Sequence, residues 1–105
     1  MKSRSHDEAM AELFSKDPDF ARQVINDILK DETSDQAELL IVLRQMTKAF
    51  GSMQSVAEQA RLNPTQLYRT LSPTGNPTLS NFSAILKALG LRLAVEPLHE
   101  SVAHA

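Results

Sequence analysis

Two short segments with a helical pattern, residues 52–60 and 64–71, are separated by only three residues. Ser52 is suited to cap the first helix, and Asn63 followed by Pro64 is a strong start signal for the second. The apolar residues available to bury a crossing between the two helices are Val56, Ala57, Ala60, Leu62 and Leu67. Two helices joined so closely must cross, and these are the dimensions of a helix-turn-helix.

The rest of the chain up to Gly90 also places apolar residues at steps of three and four, which predicts amphipathic helices. A first short helix is expected in "SHDEAMAELFSK", and a second over 18–30 after the cap Asp17. The third should begin after Ser34 or Asp35 and end at Gly51 with a buried stripe. The buried stripe of the third helix should comprise Leu39, Leu43, Met46 and Phe50. A sixth helix is expected between Thr78 and Gly90, and its buried residues should be Leu79, Phe82, Ile85, Leu86 and Leu89.

A different pattern follows, since "LRLAVEP" alternates Leu91, Leu93 and Val95 with other residues and stops at Pro97. A lone short strand has no ladder to join, so it must pair with another segment or another chain. A strand from a two-fold mate is the simplest partner, which predicts a homodimer. The expected fold is therefore all-α, a small helical bundle with a helix-turn-helix and a short C-terminal β-strand.

The net charge of −2 hides an asymmetry along the 105 residues. Residues 1–35 hold nine acidic and five basic residues, whereas 44–92 holds six basic residues and only one acidic residue, Glu58. We expect three parts: acidic N-terminal helices over 1–34, the helix-turn-helix domain with the strand over 35–98, and a disordered tail over 99–105. One interpretation is chance clustering of solvated charges; the other, which we favour, is a two-part protein whose basic half faces a polyanion.

Several classes of function lack support in the sequence. The absence of cysteine excludes disulfides and thiolate metal sites, and no signal peptide or membrane span is apparent, so a cytoplasmic protein is expected. His6, His99 and His104 stand near the ends without ligands at metal-binding spacing. No nucleophile stands beside a base and there is no phosphate-binding glycine loop, so we expect no enzyme, no metal and no cofactor.

The segment "MQSVAEQARLNPTQLYRTLS" resembles the helix-turn-helix of phage repressors (the Xre-like, lambda-repressor-like class). The longer run "SVAEQARLNPTQLYRTLSPTGNPTLSNFSAILKALGLRLAVEP" is similar to the probable addiction-module antidote family, a HigA-like group of antitoxins. In that family "LYRxLSPxGNPT", a helix ending in "LKALG" and a "LRLxVEP" strand recur together. Phage repressors usually place glycine in the turn at positive φ, and this chain has Arg61 there, at a typical cost of about 1 kcal/mol.

The resemblance implies roles for the outer face of the second helix of the motif. Since Pro64 has no side-chain donor, the expected base-contacting residues are Thr65, Gln66 and Arg69, with Arg69 suited to guanine and Gln66 to adenine. Asn63 is expected to act as the helix cap. The expected phosphate contacts are Ser52, Gln54 and Ser55 before the turn, Tyr68 through its hydroxyl with the ring packed inward, and Ser72, Thr74 and Asn76 in the following loop. The competing interpretation is that these are ordinary solvated side chains.

As a family member, the chain would repress its operon by binding a palindromic operator on double-stranded DNA as a dimer. It would also neutralise a small basic toxin, a RelE-like ribonuclease. The charge pattern then favours the acidic N-terminal helices as the toxin-facing region. Two alternatives remain open: a stand-alone phage-like regulator without a toxin, and a protein-binding module that does not bind DNA.

Overall fold

A computed structural model describes residues 5–99 of the chain. The six helices in that range are α1 (His6–Lys16), α2 (Pro18–Lys30), α3 (Gln36–Phe50), α4 (Met53–Ala60), α5 (Pro64–Thr70) and α6 (Leu79–Ala88). The prediction of an all-α chain with a short helix pair at its centre is confirmed. No helix in the described part is long and apolar enough to cross a membrane.

Each helix begins at a side chain that accepts a hydrogen bond from a backbone amide of the first turn. These caps are Ser5, Asp17, Asp35, Ser52, Asn63 and Thr78. The sequence left the start of α3 open, and the structure selects Asp35, whose carboxylate accepts from the Glu38 amide. At the other end, Gly90 terminates α6 with a φ of 81°, a left-handed conformation that glycine adopts without strain.

A single apolar cluster holds the helices together, and it takes residues from every one of them. α1 and α2 pack against α3, while α4 packs against both α5 and α6. The largest fully buried apolar side chains are Phe14, Leu40, Leu43, Met46, Leu67, Leu71 and Ile85. Helix α5 is therefore held through Leu67, with Leu71 just beyond its end, and its opposite face is left to solvent.

Two residues predicted to be buried are exposed, and both lie at the end of a helix. Leu79 is the first residue of α6 and leaves 71% of its surface accessible. Phe50 is the last residue of α3 and is also exposed. Helical spacing places a residue on a face of its helix, but at a terminus the neighbouring helices do not extend far enough to cover that face.

The strand predicted over 91–95 is absent, since the described residues contain no strand. Leu91 packs against the core, but Leu93 is exposed and Val95 is 100% accessible. The physical reason is the one that made a lone strand unfavourable: the single chain offers this segment no ladder of backbone partners. The predicted tail lies outside the described residues apart from His99, and so does His104.

Candidate nucleic-acid interface

The start of α4 is held by a reciprocal pair of serines. The Ser55 amide donates to Ser52 Oγ at 3.0 Å, and the Ser52 amide donates to Ser55 Oγ at 3.0 Å. Both hydroxyls thus satisfy the helix end, as in a capping box. Gln54, between them, is exposed and has no hydrogen-bond partner among residues 5–99. Of the three predicted phosphate contacts on α4, Gln54 has the side chain most available to a ligand.

The turn between α4 and α5 is closed by backbone hydrogen bonds around Arg61. The Leu62 amide donates to the Ala57 carbonyl at 2.8 Å, and the Arg61 amide donates to the Glu58 carbonyl at 3.2 Å. These two hydrogen bonds together form a Schellman motif, which requires a residue in the left-handed backbone conformation. Arg61 supplies it with φ 61° and ψ 40°, and it is the one non-glycine residue at positive φ in the described range. The sequence left the turn geometry at Arg61 open, and the structure places this residue at positive φ.

Helix α5 is fixed at its N-terminus by Asn63 and Pro64. The Gln66 amide donates to Asn63 Oδ1 at 2.7 Å, and Pro64 occupies the first helical position, where no amide proton is needed. The prediction that Asn63 acts as a cap is confirmed. Because its amide oxygen is engaged in the cap, Asn63 can offer a ligand only its NH₂ group.

The three predicted base-contacting residues share one exposed surface. Thr65, Gln66 and Arg69 line a shallow concavity together with Asn63 and Thr70. None of the Thr65, Gln66 or Arg69 side chains has a hydrogen bond or ion pair within the described residues. Their donors and acceptors are therefore available to a ligand. Thr70 was not among the predicted DNA-contacting residues. It lies one helical turn beyond Gln66, and that spacing could have identified it.

The loop after α5 is ordered against the end of that helix. Ser72 Oγ donates to the Arg69 carbonyl at 2.8 Å and lies 3.4 Å from Thr74 Oγ1. At Gly75 the backbone passes so close to α5 that an added Cβ would lie 2.0 Å from the Thr70 carbonyl oxygen. Of the three predicted phosphate contacts here, Ser72 is engaged internally, whereas Asn76 is exposed with no hydrogen bond in the described part.

Tyr68 differs from its expected placement. The sequence interpretation packed its ring inward, but 55% of the residue is accessible. Residues 67 and 71 take the inward face of α5, and Tyr68 follows directly after Leu67, so the helix turns it away from the core. The phenol is therefore exposed on the flank of α5, and the predicted contact of its hydroxyl with phosphate is untested.

An ion cluster that the sequence analysis missed links α1 to α3. Arg44 Nε donates to Asp7 Oδ2 at 2.9 Å, Gln45 Nε2 donates to Oδ1 at 3.1 Å, and Lys48 Nζ lies 3.8 Å from Oδ2. Burial alone would raise the pKa of Asp7. The hydrogen bond from Gln45 and the charges of Arg44 and Lys48 outweigh that effect and hold the pKa below its ordinary value.

This cluster changes the distribution of available positive charge. Lys16, Arg22 and Lys30 lie within 4 Å of carboxylates on exposed surface, and Arg44 and Lys48 lie within that distance of Asp7. The cations in the described range without a carboxylate partner are Arg61, Arg69, Lys87 and Arg92. Two of the six basic residues counted between 44 and 92 thus share one carboxylate, which offsets one of their two positive charges. The remaining unpaired cations begin at the turn before α5.

The sequence from residue 7 to residue 97 matches a family model described as "Probable addiction module antidote protein". The match covers nearly the whole described structure. The chain belongs to this family. An uncharacterized protein of Haemophilus influenzae is 34% identical over 72 residues, which cover 69% of this chain and 71% of the relative. No solved structure gives a significant match.

The family name identifies this chain as a probable antidote of an addiction module, which implies a cognate toxin partner. Antidotes of this kind are typically not enzymes. The described residues contain no group of three or more histidine, cysteine, aspartate or glutamate side chains that could hold a metal ion.

The first two helices of the antidote leave apolar side chains uncovered among their acidic residues. Leu13 on α1 and Phe20 and Leu29 on α2 are exposed. Phe20 also packs against buried Phe14, with ring centroids 5.9 Å apart. Asp19 and Asp27 are among the acidic residues exposed on α2.

Proposed function

We propose that this antidote is a sequence-specific DNA-binding repressor that also neutralises its toxin. The observation that carries the DNA-binding part is the surface of α5. Three side chains with hydrogen-bonding groups, Thr65, Gln66 and Arg69, lie on one face of a helix that is fixed at its N-terminus by a cap and a proline. None of the three has a partner among residues 5–99. A short helix presenting such a face after a three-residue turn suits the major groove of DNA.

Each side chain has a role set by its chemistry. Arg69 can donate two hydrogen bonds to O6 and N7 of guanine, and Gln66 can pair with N6 and N7 of adenine. Thr65 can contact a thymine methyl group or a phosphate. Gln54 and Asn76, whose side-chain amides have no partner in the described part of the chain, are the better placed of the predicted phosphate contacts. Ser52, Ser55 and Ser72 have hydroxyls engaged within the fold.

A homodimer would place two α5 helices in successive major grooves, so the operator should be a palindrome with half-sites about 34 Å apart. Support comes from residues 91–98, where Leu93, Val95 and Leu98 are all exposed in the single chain. Pairing of this segment with the same segment of a mate would supply the missing backbone ladder and cover these side chains. Leu91, anchored in the core, would fix the start of the paired segment.

The toxin-facing region we propose is the outer surface of α1 and α2. Its acidic residues suit a small basic toxin of the RelE-like ribonuclease class, and Leu13, Phe20 and Leu29 offer apolar contact area. This surface and the α5 surface involve different helices. A stand-alone regulator without a toxin would leave the α1–α2 surface unused. An adjacent reading frame that encodes a small basic protein would favour the toxin-binding role, and the absence of one would favour the stand-alone regulator.

The test of DNA binding is a gel shift with the duplex upstream of the chain's own reading frame. The double variant Arg69→Ala/Gln66→Ala should lose specific retention, because both base-reading side chains are removed. The matched control is Arg22→Ala/Gln23→Ala on α2, which removes the same side-chain types from another exposed helix. Equal retention by wild type and the α5 variant would instead support a module that binds only protein.

A further inference from the structure

Arg61 occupies a backbone conformation that its side chain makes costly. With φ 61° and ψ 40° it lies in the left-handed region, where a residue with a Cβ is disfavoured relative to glycine. The Schellman motif at the end of α4 needs this conformation, but it does not need an arginine. Glycine would satisfy the same two backbone hydrogen bonds without the strain.

Nothing inside the described fold compensates for that strain. The Arg61 side chain is exposed and has no hydrogen bond or ion pair with any of residues 5–99. Glu58, one helical turn earlier, does not pair with it. The described residues therefore offer no contact that favours arginine over glycine at this position.

The position of Arg61 indicates what kind of contact this is. It is two residues before Asn63, which caps α5 and lines the concave α5 surface. Arg61 and Arg69 bracket the start and end of that helix, and they are the first two unpaired cations along the described chain. A guanidinium beside a helix proposed to enter the major groove is suited to a phosphate oxygen of the flanking backbone.

We propose that Arg61 is a phosphate-contacting residue of the DNA complex, a role that rests on the proposed DNA-binding function. The turn places the Arg61 backbone two residues before the cap of α5, with its side chain exposed. The guanidinium contributes affinity at every sequence and no base discrimination, because phosphates are the same at each step. This separates it from Arg69, whose contact is proposed to be with a base.

The decisive variant is Arg61→Gly, because it should not lower thermal stability and should weaken DNA binding. Relief of the left-handed strain should leave Tm unchanged or raise it by up to about 4 °C. Loss of one phosphate contact should weaken binding to the upstream duplex by about three- to tenfold near 0.1 M salt. The slope of log K against log salt should become shallower by about 0.9. Fluorescence anisotropy at several KCl concentrations measures both quantities.

Three further variants isolate the charge. Arg61→Asn tolerates the left-handed conformation and should lose affinity as Arg61→Gly does, whereas Arg61→Lys should retain most of it. Lys16→Ala removes one positive charge from α1, which packs against α2 and α3, and should change neither affinity nor slope. Wild-type affinity and slope in Arg61→Gly, or a loss no larger than that of Lys16→Ala, would overturn this role alone. Failure of the wild-type chain to bind the duplex would overturn the proposed function as well.

Discussion

Replacement of Asp7 by Asn tests the ion cluster that fastens α1 to α3. The Asp7 side chain is 18% accessible and accepts hydrogen bonds from Arg44 and Gln45, with Lys48 Nζ 3.8 Å away. Asn keeps the size of the side chain but removes the charge. A hydrogen bond to a charged group contributes about 1.5–3 kcal/mol when buried, and an exposed ion pair contributes less than about 1 kcal/mol. For this partly buried site we expect a loss of about 2 kcal/mol, or about 8 °C in Tm.

The pH dependence of the free energy of unfolding tests the same ion cluster independently. The pKa of Asp7 in the folded chain is below its ordinary value of 3.8, so the unfolded chain binds the proton more readily. The stabilisation is therefore complete above pH values near the ordinary pKa and is lost as pH falls through the folded pKa. Wild type and Asp7→Asn should differ at pH 7, and the difference should shrink as the pH falls below the ordinary pKa of 3.8.

Urea denaturation followed by circular dichroism, at several pH values, measures both effects. Asp19→Asn is the matched control, since Asp19 forms an ion pair with Arg22 on fully exposed surface and its replacement should change stability little. An Asp7→Asn variant as stable as wild type at pH 7 would show that the ion cluster does not stabilise the fold. A difference that persisted unchanged to pH 3 would refute its electrostatic origin.

Two further predictions concern the loop after α5 and the C-terminal segment. Gly75→Ala should destabilise the chain by about 2–3 kcal/mol in urea denaturation, because the new Cβ would lie 2.0 Å from the Thr70 carbonyl oxygen; unchanged stability would show that the loop can move away from α5. Val95→Asp should leave the folded single chain intact, since Val95 is 100% accessible, but should yield a monomer in sedimentation at micromolar concentration where wild type is a dimer. A dimeric Val95→Asp protein would place the interface elsewhere.

The elements predicted correctly are those that depend on neighbouring residues. Asp17 before Pro18 and Asn63 before Pro64 specify helix starts through contacts within one turn, and each cap is observed. The turn geometry at Arg61 could not be predicted in the same way, because an arginine does not by itself specify the left-handed conformation that it adopts.

The elements missed depend on distant residues or on a second chain. Asp7 and Arg44 are 37 positions apart, and no local pattern links them. Asp7 offsets one positive charge that had been counted toward the basic half. The alternation at 91–95 describes how side chains would be placed in a strand, but the described chain contains no partner for it. Exposure at Leu79 and Phe50 depends on where neighbouring helices end, which periodicity does not reveal.

The most direct test of the account is whether α5 reads bases in the upstream DNA. Footprinting with wild type would first locate the two half-sites. Wild type and Arg69→Ala would then be titrated by fluorescence anisotropy against the native duplex and against duplexes in which single guanines of those half-sites are replaced. Wild type should lose about 1–3 kcal/mol of binding free energy at one guanine position, and Arg69→Ala should lose that discrimination while still distinguishing other positions. Equal discrimination by both proteins at every guanine, or no specific binding by wild type, would contradict the assignment of α5 as the recognition helix.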